Sequence, residues 1–190
     1  MSTLSRSFGL SIFTTINSGI TQLEQLRGRS LALGAPESAI GDYLPKCAMV
    51  RAGLRSSDLT VMNLTDSRMF SAVVNGQFDA GVAYLDEFVA MTNNAARTNT
   101  ANTGVALRVV QTLQAPAYCW VATGKLDESV ARALSDSFLA LRSAEVLAKI
   151  DHELTRFVPA VPGDYDALEK QMEQARLFSA PPSKAKPQKP

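Results

Sequence analysis

Apolar positions along the chain switch between two periods. Short runs rich in Val, Leu and Ala at residues 30–33, 59–64, 78–84, 105–113 and 118–122 read as strands. Between them the apolar residues recur at helical spacing. Residues 38–52 place Tyr43, Leu44, Cys47, Ala48 and Val50 on one face, with Gly53 as the stop. The next helix carries Met69, Phe70, Val73 and Val74 and stops at Asn75-Gly76; Thr65-Asp66-Ser67 can cap it. Residues 22–26 form a helical turn ended by Gly28, and residues 86–91 a short helix. Residues 92–103, rich in Asn, Thr and Ala without periodicity, read as a surface loop. Asp127 can cap a helix bearing Val130, Leu134, Phe138 and Leu141; residues 144–155 continue as helix, 157–159 are extended, and 164–176 form a last helix. Strands alternating with helices predict an α/β fold with a mostly parallel sheet.

Composition narrows the class. With 46% hydrophobic residues in 190, the chain can bury a core. Nineteen basic and 18 acidic residues leave a net charge of +1, which argues against a dedicated nucleic-acid or membrane-surface protein. The basic residues Lys184, Lys186 and Lys189 lie in a Pro-rich tail that reads as disordered from Pro181. Two cysteines, Cys47 and Cys119, make no disulfide framework or metal spacing and read as buried apolar thiols. The single histidine, His152, reads as a surface residue. No metal or cofactor is called for. There is no paired acid/base set, phosphate loop or nucleophile motif, so the chain does not read as an enzyme. No apolar run reaches the 18 residues of a membrane span. The broken run from Phe8 to Phe13 makes a poor signal peptide, since it is short and no small-residue cleavage site follows.

The stretch LRGRSLALGAPESAIGDYLP, residues 26–45, reads as turn, buried strand, small-residue loop and helix start. That geometry aims backbone N–H groups and the positive end of a helix dipole at one spot where an anion can bind. The stretch resembles the opening of the second lobe in the substrate-binding proteins of phosphonate/phosphite ABC importers. Further blocks match that family in order: FSAVVNGQFDAG (70–81), residues 107–121, and FVPAVPGDYDAL (157–168). Asn17-Ser18-Gly19-Ile20 is similar to the family's segment just before that lobe.

The resemblance implies a type-2 periplasmic-binding-protein fold with one intact α/β lobe at 11–110. It further implies a return segment and C-terminal helices of an incomplete lobe at 111–176 and a tail at 177–190, the opening strands of the first lobe being absent. It implies a solute-binding component of an ABC importer that holds a small, phosphonate- or phosphate-like anion in an interlobe cleft. The chain would then be periplasmic and would have a permease as partner. The exposed apolar residues of the incomplete lobe would be covered by a second copy or by a partner that supplies strands, or would leave the chain poorly soluble. A ligand-sensing domain of similar fold in a signalling or regulatory system is the alternative.

The implied ligand residues are Ser38, Ala39, Ile40, Gly41, Thr65, Asp66, Tyr84 and Tyr118. The family grips its anion with hydroxyl residues before Gly at the helix start; here Ser38 keeps a hydroxyl whereas Ala39 and Ile40 do not. Each hydrogen bond lost to a charged group is worth about 1.5–3 kcal/mol. The family's acidic residue in its return segment, which would meet an amine, falls on Tyr118. Each position also has a structural reading. Ser38 and Asp66 can be helix caps, Tyr84 a half-buried tyrosine, and one of Tyr118 and Trp120 a core residue. Glu37 would repel an anion unless it points to solvent.

Overall fold

The computed structural model describes residues 8–98, 106–116, 119–150 and 154–180. It divides into two compact units, one of residues 10–113 with those from Lys170 onward, the other built mainly from residues 114–169.

The larger unit is organised on a five-stranded sheet of order β3-β2-β4-β1-β5. Its strands are β1 (Phe8–Thr15), β2 (Ser30–Leu33), β3 (Thr60–Asn63), β4 (Ala80–Tyr84) and β5 (Leu107–Ala115). β2 runs parallel to β3 and β4, with Leu33 beside Asn63 and Ala32 beside Gly81; β1 runs antiparallel to β4. Helix α1 (Leu44–Arg51) follows β2, α2 (Asp66–Val74) follows β3 and α3 (Leu85–Thr98) follows β4. α2 lies tight on β4, since a Cβ built on Gly81 would come within 2.9 Å of Val73 Cγ2. The rings of Phe13, Phe70 and Phe88 gather in the core, Phe13 and Phe70 stacked at 4.8 Å and Phe13 and Phe88 at 5.5 Å.

β1 is a strand the sequence pattern did not announce. Leu10 to Thr14 are all buried, so the run shows no polar alternation. Its hydroxyls are absorbed by backbone carbonyls: Ser11 Oγ donates to Ala83 O at 3.2 Å and Thr14 Oγ1 to Asp79 O at 2.6 Å. A second correction concerns residues 92–98. They continue α3 instead of forming a loop, with the Thr92 hydroxyl donating to the Phe88 carbonyl at 2.9 Å. The rest of that expected loop, 99–103, lies outside the described residues.

The smaller unit contains α4 (Glu128–Ala140) and α5 (Ala144–Ile150). Asp127 caps α4 by accepting from the Ser129 amide. Leu147, Leu154 and Phe157 form its centre with Phe138, Leu139 and Leu141 against them. Trp120 sets its edge on Phe138 at 4.8 Å and on Phe157 at 5.5 Å. The expected strand at 118–122 is not formed: Cys119 makes a single bridge and residues 120–122 are irregular. Helix α5 is described to Ile150, residues 151–153 lie outside the described residues, and residues 154 and 155 are not helical. Cys119 is half-buried rather than buried. Burial and a hydrogen bond with that thiol push the Tyr165 hydroxyl up to about 12. Both His152 and the expected ligand residue Tyr118 lie outside the described residues.

The last helix, α6 (Asp166–Arg176), bears on the larger unit rather than the smaller one from Lys170 onward. Gln174 Oε1 accepts from Arg51 Nε at 3.0 Å and from Cys47 Sγ at 3.3 Å. Residues 177–180, expected in the tail at 177–190, belong to the larger unit, and residues 181–190 lie outside the described residues. Phe178 is 1% exposed, and its carbonyl accepts from the Ser56 amide at 2.9 Å, while Leu177 O accepts from Arg55. Among the described residues no helix is long and apolar enough to cross a membrane, and no group of three or more His, Cys, Asp or Glu side chains could hold a metal ion.

Candidate functional site

Three parallel strands end at one edge of the larger unit, and each is followed by the start of a helix. β2 leads into the loop before α1, β3 into Thr65-Asp66 and β4, through Tyr84, into α3. The ends are tied together: Leu64 N donates to Leu33 O at 2.8 Å, and Asn63 Nδ2 to Gly34 O at 2.6 Å. The carboxyl ends of strands are where open α/β sheets bind ligands.

The loop after β2 is built by two glycines and a serine. The Gly34 amide donates to the Gly41 carbonyl at 2.8 Å. The Ser38 carbonyl accepts from Asp42 N at 3.1 Å and Tyr43 N at 3.0 Å, and its Oγ accepts from the Gly41 amide at 3.1 Å. Ser38 thus stands at a helix N-terminus, as the sequence predicts, and caps it. Residues Ala39–Tyr43 wind as a wider π-type turn before α1 begins. As acceptor for Gly41, the Ser38 hydroxyl keeps its own proton to donate. The first amides of the turn, those of Ala39 and Ile40, have no acceptor inside it. Ile40 as a whole is 4% exposed and belongs to the core.

A buried carboxylate sits within this turn. Asp42 is 2% exposed; its Oδ2 accepts from the Glu37 amide at 3.1 Å and from Lys46 Nζ at 2.8 Å, with Nζ also 2.7 Å from Oδ1. This clasp holds Glu37 at φ 63°, a left-handed conformation uncommon outside Gly. The Glu37 side chain itself is exposed. Sequence reasoning missed the clasp, although the i, i+4 spacing of Asp42 and Lys46 on a helical stretch carried a signal for it.

From β3, Thr65 is exposed, with its Oγ1 3.4 Å from Ser67 Oγ, and it does not cap α2 through its side chain. Asp66 opens α2 and is exposed. Glu87, in the first turn of α3, lies close enough to feel it: burial first, then the Asp66 charge, raises the Glu87 carboxyl above its ordinary value. Tyr84 ends β4 half-buried. The structure therefore brings Ser38, Ala39, Gly41, Thr65, Asp66 and Tyr84 to one edge, removes the Ile40 side chain from it, and adds Glu87.

Comparison with known proteins agrees with this architecture. The family described as "ABC transporter, phosphonate, periplasmic substrate-binding protein" matches residues 3–165. Among solved structures, XAC2383 from Xanthomonas citri bound to ATP is similar at a TM-score of 0.70 and 22% identity, over 90% of this chain and 66% of that one. PhnD1 from Prochlorococcus marinus in complex with methylphosphonate is similar at 0.68 and 19%, over 90% and 67%. A binding protein component of an ABC phosphonate transporter from Pseudomonas aeruginosa reaches 0.62 and 16%, over 92% and 62%. At these identities the structural likeness establishes the fold, and the chain spans about two thirds of the length of those proteins. No curated protein matches the sequence.

Proposed function

The chain belongs to the phosphonate-binding family of periplasmic ABC-transporter substrate-binding proteins, and we propose that it captures a small phosphonate- or phosphate-like anion at the carboxyl edge of β2, β3 and β4. The family's members are transport solute-binding proteins and not enzymes; they bind small molecules and work with a permease. The family match over residues 3–165 carries the reading. The arrangement at the edge supports it: the Ser38 hydroxyl donates to the anion, the Ala39 amide and the helix dipole face it, and Thr65 and Tyr84 supply hydroxyls from the adjacent strand ends. Asp66 shapes the preference for the ligand's other end. The protein acts in the periplasm and delivers its ligand to an ABC permease. The apolar side chains exposed on the smaller unit, Trp120, Val121, Val130 and Leu134 among them, are covered by a second copy or by another protein.

Calorimetry of the chain against methylphosphonate, phosphite, phosphate and methanesulfonate tests the anion site. Saturable binding of at least one, weakened about tenfold by Ser38→Ala, is expected. Binding of none at millimolar concentration, or equal affinities in the variant, overturns it.

A further inference from the structure

We infer, resting on the anion site just proposed, that this site selects a singly charged anion over a doubly charged one. The reason lies in the charges carried by the three segments that form this edge. The loop and helix start after β2 (33–46), the turn after β3 (63–70) and the turn after β4 (84–89) together carry five acids, Glu37, Asp42, Asp66, Asp86 and Glu87, against two bases, Lys46 and Arg68. Lys46 is already committed to the buried Asp42, with both carboxylate oxygens within 2.8 Å of its Nζ. Arg68 is exposed and is left to offset four acids alone.

What attracts an anion here is neutral in net charge: the hydroxyls of Ser38, Thr65 and Tyr84 and the start of a helix. A helix terminus contributes about half an elementary charge, screened beyond its first turn. That field suits one negative charge. A second negative charge adds to repulsion that is already present between neighbouring carboxylates, seen in the way the Asp66 charge, after burial, raises Glu87. Asp42, its charge met by Lys46, takes one amide of the loop, that of Glu37, which leaves one donor fewer for a ligand. A phosphonate monoester or sulfonate, with one charge, fits this field; sulfate or a fully ionised phosphonate does not.

Calorimetry on the whole chain at about pH 8.5, where methylphosphonate is a dianion, compares methanesulfonate, sulfate and methylphosphonate. The expected result is methanesulfonate bound at least about tenfold more tightly than either dianion. In the double variant Asp66→Asn, Glu87→Gln, whose side chains are exposed and whose fold is checked by circular dichroism, tighter dianion binding is expected to narrow the gap to within about threefold. Dianions bound as tightly as methanesulfonate by the unaltered chain, or a gap unchanged in the folded double variant, overturn the selectivity while leaving the anion site in place. Binding of none of the three by the unaltered chain overturns the selectivity; binding of none of them and of neither phosphite nor phosphate overturns the anion site itself.

Discussion

The backbones of Gly34 and Gly41 are in direct contact: the amide of the first donates to the carbonyl of the second, and a Cβ built on Gly34 would sit 2.9 Å from Gly41 Cα. The contact closes the loop after β2 onto the turn that carries Ser38, so the position of the serine hydroxyl depends on the close approach of two glycine backbones. Gly34→Ala is expected to destabilise the fold by about 1–3 kcal/mol, because the obstructing atom is backbone and cannot swing aside. The same change should weaken anion binding by opening the turn. Gly53 offers the contrast. Nothing lies within 4 Å of its Cβ position, and its φ of +71° alone sets the cost of Gly53→Ala at about 1–2 kcal/mol. Thermal unfolding of both variants, with calorimetry on each, separates them: both lose stability, and only Gly34→Ala loses affinity.

The Asp42–Lys46 clasp gives an ordered pair of variants. Lys46→Met strands a carboxylate that is 2% exposed, whereas Asp42→Asn strands an ammonium whose side chain is 24% exposed and can turn to water. Breaking a buried pair by removing one partner costs about 3–5 kcal/mol when the charge left behind is fully buried. Lys46→Met should approach that range and Asp42→Asn fall well short of it. Denaturant unfolding of the two reads the order directly, and the reverse order would show that the lysine, not the aspartate, is the group the fold shields.

Asp79 predicts an acid-side weakness. Burial pushes its carboxyl up, but the Ser30 hydroxyl at 2.6 Å, the Ser30 amide at 2.8 Å and the Arg29 guanidinium outweigh that and leave it below its ordinary 3.8. A carboxyl depressed in the folded state contributes stability that is fully present above its unfolded value and is lost as pH falls through the folded one. Melting temperature should therefore drop from about pH 4 downward. Ser30→Ala removes the two side-chain bonds between Ser30 and Asp79, lowers the melting temperature at neutral pH and makes the drop shallower. A melting curve of Ser30→Ala parallel to that of the unaltered chain at every pH would remove Asp79 from the acid response.

How much of this was legible beforehand depends on what each segment hides. β2, β3 and β4 and the helices after them were readable, because apolar runs there are bounded by Gly, Asn and capping residues, and Ser38 fell at a helix start as its sequence context predicts. β1 was not, because Leu10 to Thr14 are buried together and Ser11 and Thr14 satisfy their hydroxyls on carbonyls of other segments, which no local pattern reveals. Residues 92–98 and Phe178 escaped for related reasons. Asn- and Thr-rich sequence carries no helical stripe, and Phe178 is held by Ser56, 122 residues earlier. At the site, the hydroxyl of Ser38 was legible, whereas the Asp42 clasp and the nearness of Asp66 to Glu87 arise from folding, the latter joining the first turns of two different helices.

The smaller unit makes the last prediction. Trp120, Val121, Val130 and Leu134 are 44%, 78%, 45% and 44% exposed, around a centre formed by Phe138, Phe157 and Leu147. A soluble surface rarely leaves so many large apolar side chains uncovered together, and each one buried contributes about 1.5–3 kcal/mol. The purified chain should therefore bind a hydrophobic dye and associate or scatter light as its concentration rises. Val130→Glu with Leu134→Lys should reduce both. Because neither side chain is in the unit's centre, the double variant should unfold within about 1 kcal/mol of the parent. A parent chain that stays monomeric at high concentration and binds no dye would show that these side chains close on one another, and that the smaller unit needs no covering surface.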